Sequence, residues 1–362
     1  MMTEQAHMSD LAIPPGEYLE EVLEEVGISQ AELARRMGRP PQAINEILKG
    51  DKAITPETAL QLEQVVGVPA YFWSNLEASY RLAIAKEVDE KKAQVEVEVV
   101  SSYPYLELSK LGLVEKTRNK ISKVKELRKL FGVSSLFNIG EVKEYSPAFR
   151  QVEKDSTSSE ALAAWLRAGH IIASGKKTQD FDAERLKECL FDIKGLTFET
   201  DPNVLIDNLG NVLSDCGIAL VLIPHFPKTY TTGATFWVEK KKAVIMMSLR
   251  GSWSDIFWFS LMHEIAHILL HDKRATFLEN GKGDHQYRKQ EEEADFFAQK
   301  TLIPSKDYKG FVAVGDFTAN SIEKFANNIG IFPGVVTGRL QFDSLLPHTV
   351  HHHRIRFKWK KA

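Results

Sequence analysis

Residues 254–274 contain the pattern His-Glu-x-x-His within an almost continuous apolar run. On a helix, His263 and His267 stand one above the other on the same face, with Glu264 beside them. The neighbouring residues are apolar on every side, which predicts a helix buried in a core rather than one lying on the surface. Buried imidazole and carboxylate groups are costly without partners. The stretch therefore predicts a metal ion held by two histidines of one buried helix.

A second helical pattern, RKQEEEADFFAQKTLIP, supplies acidic residues for the same site. Zinc held by two neutral imidazoles needs a third protein ligand, and a catalytic zinc keeps its fourth position for water. Glu291 is our candidate for that ligand, and Asp295 lies one turn further on, where it can accept a hydrogen bond from a ligand histidine. We predict a Zn²⁺ site of His263, His267 and Glu291, with Glu264 as the catalytic base.

His271 continues the histidine stripe one turn beyond His267. Three successive helical turns rise about 5.4 Å each, so they cannot all reach one small ion. We therefore place His271, with Asp295, behind the ligands rather than among them. A plainer interpretation stays open, in which the histidines are core residues bonded to backbone carbonyls and Glu291 belongs to a solvated acidic run.

The segments HEIAHILLH and EEEADFFAQKTLIP together resemble the ImmA/IrrE family of zinc metallopeptidases. In that family the third zinc ligand is the glutamate of a Glu-x-x-Ala-Asn/Asp-x-Phe-Ala pattern. The matching positions are Glu291, Ala294, Asp295, Phe297 and Ala298. The resemblance implies an α+β zincin-like metallopeptidase domain that acts on a protein substrate, typically a repressor or antitoxin.

Length and composition indicate a globular chain of two or three domains. It has 362 residues, of which 43% are hydrophobic and 26% charged. Only Cys189 and Cys216 occur, so no disulfide framework is implied and a cytoplasmic location fits. The first residues lack the basic and apolar regions of a signal peptide, and no stretch is long enough to span a membrane. We expect no membrane partner.

Residues 11–75 predict five short helices joined by tight turns. Ser29 is a candidate N-cap for the second helix, with Glu32 three residues later, and Thr55 is a candidate N-cap for the fourth. Two helices of about eight residues, joined at Gly38, form the signature of a helix-turn-helix.

Charge within residues 1–75 is unevenly distributed, because all five cations lie near the turn and the second helix of this motif, against twelve acidic residues. Such clustering predicts a surface that faces DNA phosphates, with two amide side chains placed to reach base edges. The candidate DNA-binding residues are Arg35, Arg36, Arg39, Gln42, Asn45, Lys49 and Lys52. A protein-interaction or dimerisation module is the alternative, because a net charge of 5 minus 12, or -7, predicts weak affinity for DNA in general.

Residues 11–85, which include the segment IPPGEYLEEVLEEVGISQAELARRM, are similar to the HigA-like antitoxins of the XRE class of helix-turn-helix proteins. The resemblance implies a homodimer that binds double-stranded operator DNA and a cognate toxin. The chain departs from that family at Pro40 and Pro41, which open the predicted recognition helix.

Between the two motifs, residues 76–100 predict a charged helical connector, either a dimerising arm or simply a solvated helix. Further helices are predicted across residues 103–149, where the excess of lysine and arginine forms a solvated face or a second phosphate-binding surface. The pattern SSEALAAWLRAGHIIASG predicts an amphipathic helix with Trp165 and Leu166 inward, and His170 on it as an ordinary polar residue.

Three strands are predicted before the metal helix, at Ile218–Pro224, Gly233–Val238 and Ala243–Leu249. We expect a short antiparallel sheet with Gly233–Trp237 as a free edge that can pair with an extended peptide. Near the end of the chain, HHHRIRFKWKK alternates like a basic strand, with His351 to His353 as surface histidines.

We predict a mainly α N-terminal helix-turn-helix domain (1–78), a helical connector (79–155) and an α+β zincin-like peptidase domain (156–362). Tyr230, His225 and Tyr287 are candidates for stabilising an oxyanion, by position only. Three functions compete. The first is a transcription regulator that cleaves a protein partner, the second a non-proteolytic antitoxin with a structural or sensory metal domain, and the third a scaffold that neutralises a toxin.

Overall fold

A computed structural model of the chain describes residues 13–145, 148, 157–248, 253–271, 277–278 and 285–358. Their contacts divide the chain into two compact units, unit 1 (Met1–Val95) and unit 2 (Glu96–Ala362). Each unit has a hydrophobic core of its own. The helical first unit and the mixed second unit confirm the predicted fold class.

Unit 1 is built from short helices whose ends follow local sequence signals. The helices are α1 (Pro15–Val26), α2 (Gln30–Met37), α3 (Pro41–Leu48), α4 (Pro56–Val66) and α5 (Ala70–Glu96). Ser29 Oγ accepts the Glu32 amide at 3.2 Å and Thr55 Oγ1 accepts the Thr58 amide at 3.3 Å, so both predicted N-caps are confirmed. Gly27 and Gly38 end α1 and α2 in the left-handed conformation.

The core of unit 1 contains buried residues from all five helices. Leu33 of α2 and Ile44 of α3 are fully buried in it, as is Trp73 of α5. The fifth predicted helix and the predicted connector are one continuous helix, α5, because no glycine or proline interrupts residues 70–96.

Along the chain of unit 2, helices precede and follow the main strands of the sheet. Before the sheet come α6 (Tyr105–Lys110), α7 (Lys120–Phe131), α8 (Ser159–Gly175), α9 (Ala183–Gly195) and α10 (Pro202–Asp215). The histidine helix is α11 (Ser254–Leu270), followed by α12 (His285–Leu302), α13 (Ser305–Val314), α14 (Ala319–Asn328) and α15 (Pro333–Phe342). Trp165 and Leu166 of α8 are fully buried, as predicted, and His170 stacks on Phe236.

The sheet of unit 2 is mixed, and the expectation of an antiparallel sheet is wrong. Its strands are β1 (Ile218–Ile223), β2 (Gly233–Glu239), β3 (Lys242–Ser248) and β4 (Phe277–Leu278), in the order β1-β3-β2-β4. β1 runs parallel to β3, while β2 forms a hairpin with β3. A sequence pattern locates strands but does not fix which strand pairs with which.

The predicted free edge is also partly covered. Ala234 and Thr235 pair with the two residues of β4, which leaves the later part of β2 without a described partner strand on that side. β3 is buried along nearly all its length between β1 and β2.

The predicted C-terminal strand is wrong, because residues 351–358 form a single bridge, Trp253 to Arg356. His353 adopts a left-handed φ of 56°, which breaks an extended chain. His351 stacks on Trp253, and His353 bonds the Ala319 carbonyl. Within the described residues, no helix is long and apolar enough to cross a membrane.

Candidate metal centre and nucleic-acid interface

Helices α11 and α12 bring three predicted ligands to one point. His263 and His267 are 2% exposed, because α11 is packed into the core of unit 2 on its apolar sides. The Nε2 atoms of the two histidines are 3.0 Å apart. Glu291 of α12 places its two carboxylate oxygens 3.3 Å from His263 Nε2 and 3.4 Å from His267 Nε2.

These spacings fit a metal ion with tetrahedral coordination. Three donors about 2.1 Å from a tetrahedral zinc lie about 3.4 Å from one another. The ligand atoms of His263, His267 and Glu291 all fall within 4.8 Å of each other. Two nitrogens and one carboxylate form the ligand set of catalytic zinc sites. The buried Glu291 Oε1 accepts no hydrogen bond from the described residues, which agrees with a cation as its partner.

Each histidine of the cluster has a second partner at its Nδ1 atom. His263 Nδ1 lies 2.8 Å from Asp295 Oδ1, and His267 Nδ1 lies 2.9 Å from His271 Nδ1. His271 Nε2 in turn lies 3.2 Å from Glu293 Oε2. If the Nδ1 atoms of His263 and His267 carry the ring protons and donate them to Asp295 and His271, the Nε2 lone pairs of both histidines face the Glu291 carboxylate. A carboxylate thus stands behind each histidine, directly or through His271.

Burial and mutual contacts shift the pKa values of two members of the cluster. Burial alone raises the pKa of Glu291, but the contacts with His263 and His267 outweigh it and lower that pKa to about 2. Burial is the main cause that lowers the pKa of His267. An ionised carboxylate beside a neutral imidazole is the state that binds a divalent cation.

Glu264 is fully buried beside the cluster, at the junction of α11 and β2. Thr235 Oγ1 donates a 2.7 Å hydrogen bond to Glu264 Oε2. Gly233 lies against the same carboxylate, and a Cβ atom built on Gly233 would overlap it. Neither contact could be predicted from the sequence, since both depend on how β2 packs against α11 in the folded chain. The available signal was the glycine that opens β2.

Replacing Gly233 with alanine should displace the Glu264 carboxylate while leaving the metal ligands in place. If Glu264 acts as a base, a shift of about 1 Å costs roughly 100-fold in rate. If the chain is a zinc peptidase, as its sequence predicts, we expect peptide cleavage to fall by about that factor, with unchanged zinc content by elemental analysis. Gly210→Ala in α10 is the matched control, because no atom lies near that added methyl. Equal losses in the two variants would contradict this role for Gly233.

The three candidates for stabilising an oxyanion lie on two separate segments of unit 2. Tyr230 and His225 are exposed in the segment between β1 and β2, and Tyr230 has a left-handed φ of 47°. The side chain of Tyr287 lies outside the described residues. Their predicted role stays a prediction.

In unit 1, helix α3 presents one polar face and one buried face. Ala43, Ile44, Ile47 and Leu48 point into the core. Gln42, Asn45 and Lys49 are exposed on the opposite side, at spacings of three and four residues. This face has the shape and hydrogen-bonding groups of a recognition helix.

The predicted phosphate-facing cations differ in their surroundings. Arg35 and Arg36 are exposed and share Glu32 as an ion-pair partner. Lys52 lies 3.9 Å from Glu46 on the rim of α3. Arg39 is the exception, because its side chain is only 19% exposed and bonds Gln61 at 2.7 Å. The Arg39 side chain therefore links the α2–α3 turn to α4 through its hydrogen bond with Gln61.

Comparison with known protein families matches two separate regions. Residues 19–73 match the helix-turn-helix family, and residues 218–330 match the IrrE N-terminal-like domain, a family of metallopeptidase-like domains. The second match includes β1, the histidine motif and Glu291.

Individual relatives match the N-terminal region. The chain is 37% identical over 73 residues to an uncharacterized HTH-type transcriptional regulator, YddM, of Escherichia coli K12, which covers 20% of this chain and 78% of the relative. It is 40% identical over 77 residues to virulence-associated protein I of Dichelobacter nodosus, at 21% and 71% coverage. Among solved structures, antitoxin HigA of Pseudomonas aeruginosa with the higBA promoter is 36% identical, at 24% and 92% coverage and a TM-score of 0.22.

Proposed function

Because the chain belongs to the helix-turn-helix family of DNA-binding regulators and carries an IrrE N-terminal-like domain, we propose that it is a transcription regulator with a zinc-dependent endopeptidase in unit 2. The observation that carries the peptidase proposal is the convergence of His263, His267 and Glu291, with Glu264 buried beside them. The substrate class is a protein partner, such as a repressor or a component of a toxin-antitoxin pair.

Each residue of the centre has a distinct task in this proposal. His263, His267 and Glu291 would hold zinc, which when bound polarises a peptide carbonyl. Asp295 and His271 keep the Nε2 atoms of the ligands deprotonated by accepting from their Nδ1 atoms. Glu264 takes the proton of the attacking water and passes it to the leaving amine. Thr235 holds Glu264 Oε2 in place during both transfers.

Elemental analysis of the purified chain tests the metal site. We expect one zinc per chain, and most of that zinc lost in His263→Ala and in Glu291→Ala, because each variant removes one of three protein ligands. Glu292→Ala is the matched control, since Glu292 is exposed on the same helix and should leave zinc unchanged. Zinc content unaltered in both ligand variants would contradict the assignment.

Operator binding tests the proposal for unit 1, with the DNA upstream of this gene as the probe. Asn45→Ala removes a side chain that can pair an adenine, so we expect specific affinity to fall by about 1–3 kcal/mol. Lys49→Ala removes a phosphate contact, so affinity for every sequence should fall and the salt slope should decrease by about 1.

Gln64→Ala serves as the matched control for both, because Gln64 is an exposed amide on α4, away from the polar face of α3. Operator affinity that is insensitive to Asn45 and Lys49 would show that α3 is not the recognition helix.

A non-proteolytic antitoxin is the alternative function, in which the metal domain is structural or sensory. Its support is that 78% of the length of the regulator YddM matches this helix-turn-helix region, so an HTH-type regulator exists without a second domain of this size. Homodimer formation and binding of a cognate toxin belong to both proposals. Co-purification of this chain with the product of the adjacent gene tests the toxin partner.

A further inference from the structure

Helix α7 of unit 2 and the loop before it carry a high concentration of positive charge. Residues 116–129 contain seven lysine or arginine residues and one acidic residue, Glu126, so their formal net charge is 7 minus 1, or +6. The whole chain has a net charge of -3, so this segment opposes the overall balance. Five of the seven side chains are exposed, and we call them the α7 basic surface: Lys116, Arg118, Lys120, Lys125 and Lys129.

The packing of α7 holds this surface in place. Val124 and Leu127 are fully buried, which turns Lys125 and Lys129 to the solvent side of the helix. Asn119 caps the helix, because its side-chain oxygen accepts a backbone amide of the first turn at 2.9 Å. The cations are therefore carried by a helix that is anchored in the fold of unit 2.

The fold does not use most of these cations as partners for acidic groups. The one acidic residue of the segment, Glu126, accepts the Glu115 amide at 2.9 Å. On α9, by contrast, Lys187 pairs with Glu184 at 2.7 Å. Four cations of the α7 basic surface have no ion pair within the part of the chain that the structure describes: Lys116, Arg118, Lys120 and Lys129. Their charge is therefore not neutralised within the described fold.

Helix stability does not account for these charges either. Arg118 and Lys120 flank the N-cap of α7, and the first turn contains no acidic residue. The N-terminus of a helix is the positive end of its macrodipole, so cations there are unfavourable for the isolated helix. An anion close to these side chains would be favoured by both the cations and the helix end.

The phosphate backbone of double-stranded DNA fits this surface. Lys120 and Lys129 are nine residues apart on α7, which corresponds to about 13.5 Å along the helix. Duplex DNA carries one negative charge per about 1.7 Å of its axis, so several phosphates lie within that length. The only amide side chain in residues 116–129 is Asn119, which caps the helix. Lysine and arginine without such amides suit contacts with phosphates rather than the reading of bases.

Unit 1 would benefit from a second source of phosphate contacts. Residues 1–75 carry a net charge of 5 minus 12, or -7, which opposes binding to DNA in general. A second surface in the same chain acts at a high effective concentration once the first has bound. Even weak phosphate contacts by unit 2 can therefore raise the affinity of the whole chain.

We propose that the α7 basic surface binds the phosphate backbone of duplex DNA next to the operator, without regard to its sequence. Unit 2 thereby adds general affinity for DNA to the specific contacts of unit 1. The inference rests on the proposed operator binding by α3 only for the place on DNA where the surface acts, since phosphate contacts are available on any duplex.

Fluorescence anisotropy with the full chain tests the proposal, using the DNA upstream of this gene and a duplex of equal length with a shuffled sequence. The triple variant Lys116→Gln, Lys120→Gln, Lys129→Gln should bind both duplexes at least about tenfold more weakly at about 50 mM salt. Its salt slope should decrease by about 3, one for each lysine removed. The preference for the upstream DNA over the shuffled duplex should stay unchanged.

Two control variants separate local charge from other effects. Replacing the same three lysines with arginine keeps the charge and should preserve wild-type affinity. A second triple glutamine variant removes as much charge from exposed positions of unit 2 outside α7 and should also bind like the wild type: Lys177, Lys306 and Lys309. Equal losses in the two glutamine variants overturn the inference, as do equal losses in the glutamine and arginine variants of the α7 basic surface.

Asn45→Ala in the same assay distinguishes this inference from the proposed function of unit 1. Weaker binding in the α7 glutamine variant alone supports the α7 basic surface and refutes α3 as the recognition helix. Weaker operator binding in Asn45→Ala alone overturns the surface and leaves the proposed operator binding intact. No binding of the wild type to either duplex refutes both.

Phosphatidylglycerol vesicles test the other polyanion that such a surface can meet. We expect no wild-type binding to these vesicles at the salt concentration where duplex DNA binds. Vesicle binding that the α7 glutamine variant loses, together with unchanged affinity of that variant for duplex DNA, would assign the surface to lipid headgroups and overturn the inference.

Discussion

Glu264→Gln should reduce peptide cleavage by about 10²–10⁴-fold while leaving zinc bound. Glutamine keeps the shape of the side chain and can still accept the hydrogen bond from Thr235. It cannot take a proton from water at neutral pH, and it is not one of the three converging ligands. The measurements are the cleavage rate of a protein or peptide substrate and the zinc content of the same preparation.

Glu292→Gln is the control for this change, because it makes the same substitution at an exposed position of α12. Operator binding by Glu264→Gln should equal that of the wild type, since the unit 1 core contains no residue of the centre. Cleavage at the wild-type rate in Glu264→Gln would eliminate this residue as the base. Zinc loss in the variant would make a reduced rate uninformative about proton transfer and would itself contradict the assigned ligand set.

Glu96→Ala should destabilise unit 2 by about 3–5 kcal/mol, because it breaks a buried, hydrogen-bonded ion pair with Arg128. The Arg128 guanidinium donates to both Glu96 oxygens at 3.0 and 2.9 Å, and both side chains are less than 10% exposed. Ser135 Oγ and the Leu136 amide also donate to this carboxylate. Denaturant unfolding measures the loss of free energy.

Glu87→Ala, which removes a solvent-exposed ion pair with Lys91 on α5, is the control and should have little effect on unfolding.

The Glu96 contribution should also depend on pH. Burial raises the pKa of Glu96, but the donors from Arg128, Leu136 and Ser135 outweigh it and lower that pKa below 4.5. A carboxyl group whose pKa is lowered by folding stabilises the folded state at pH values above the pKa that the group has in the unfolded chain. The difference between wild type and Glu96→Ala should therefore be complete above about pH 4.5 and shrink as the pH falls further. A constant difference across that range would contradict the ion pair.

Local sequence signals predicted unit 1 well. Ser29, Thr55 and the glycines that end α1 and α2 act within one helical turn, so their effect does not depend on the rest of the fold. The proposed ligands lie on two helices, but the spacing of four residues between His263 and His267 already places this pair on one face of α11. Predicting the ligand set from the sequence therefore required only one assumption about distant contacts, that α12 packs on α11.

Features that depend on distant contacts were not predictable from the same signals. The parallel pairing of β1 with β3 and the approach of Gly233 to Glu264 follow from the order of strands in the sheet. At the C-terminus, alternating residues resembled a strand, yet Arg354 is buried against Asp255 and the chain turns at His353. The alternation there reflects the burial of Phe357 in the core of unit 2, and the part of the chain that the structure describes pairs with it only through the bridge from Trp253 to Arg356.

The separate hydrophobic cores of the two units have an evolutionary consequence. Leu19 to Trp73 supply every buried member of one core, and Leu186 to Phe357 supply the other. Substitutions in one core can therefore accumulate without loosening the packing of the other. A lineage can exchange or discard unit 2 by recombination downstream of unit 1, while the helix-turn-helix keeps its packing.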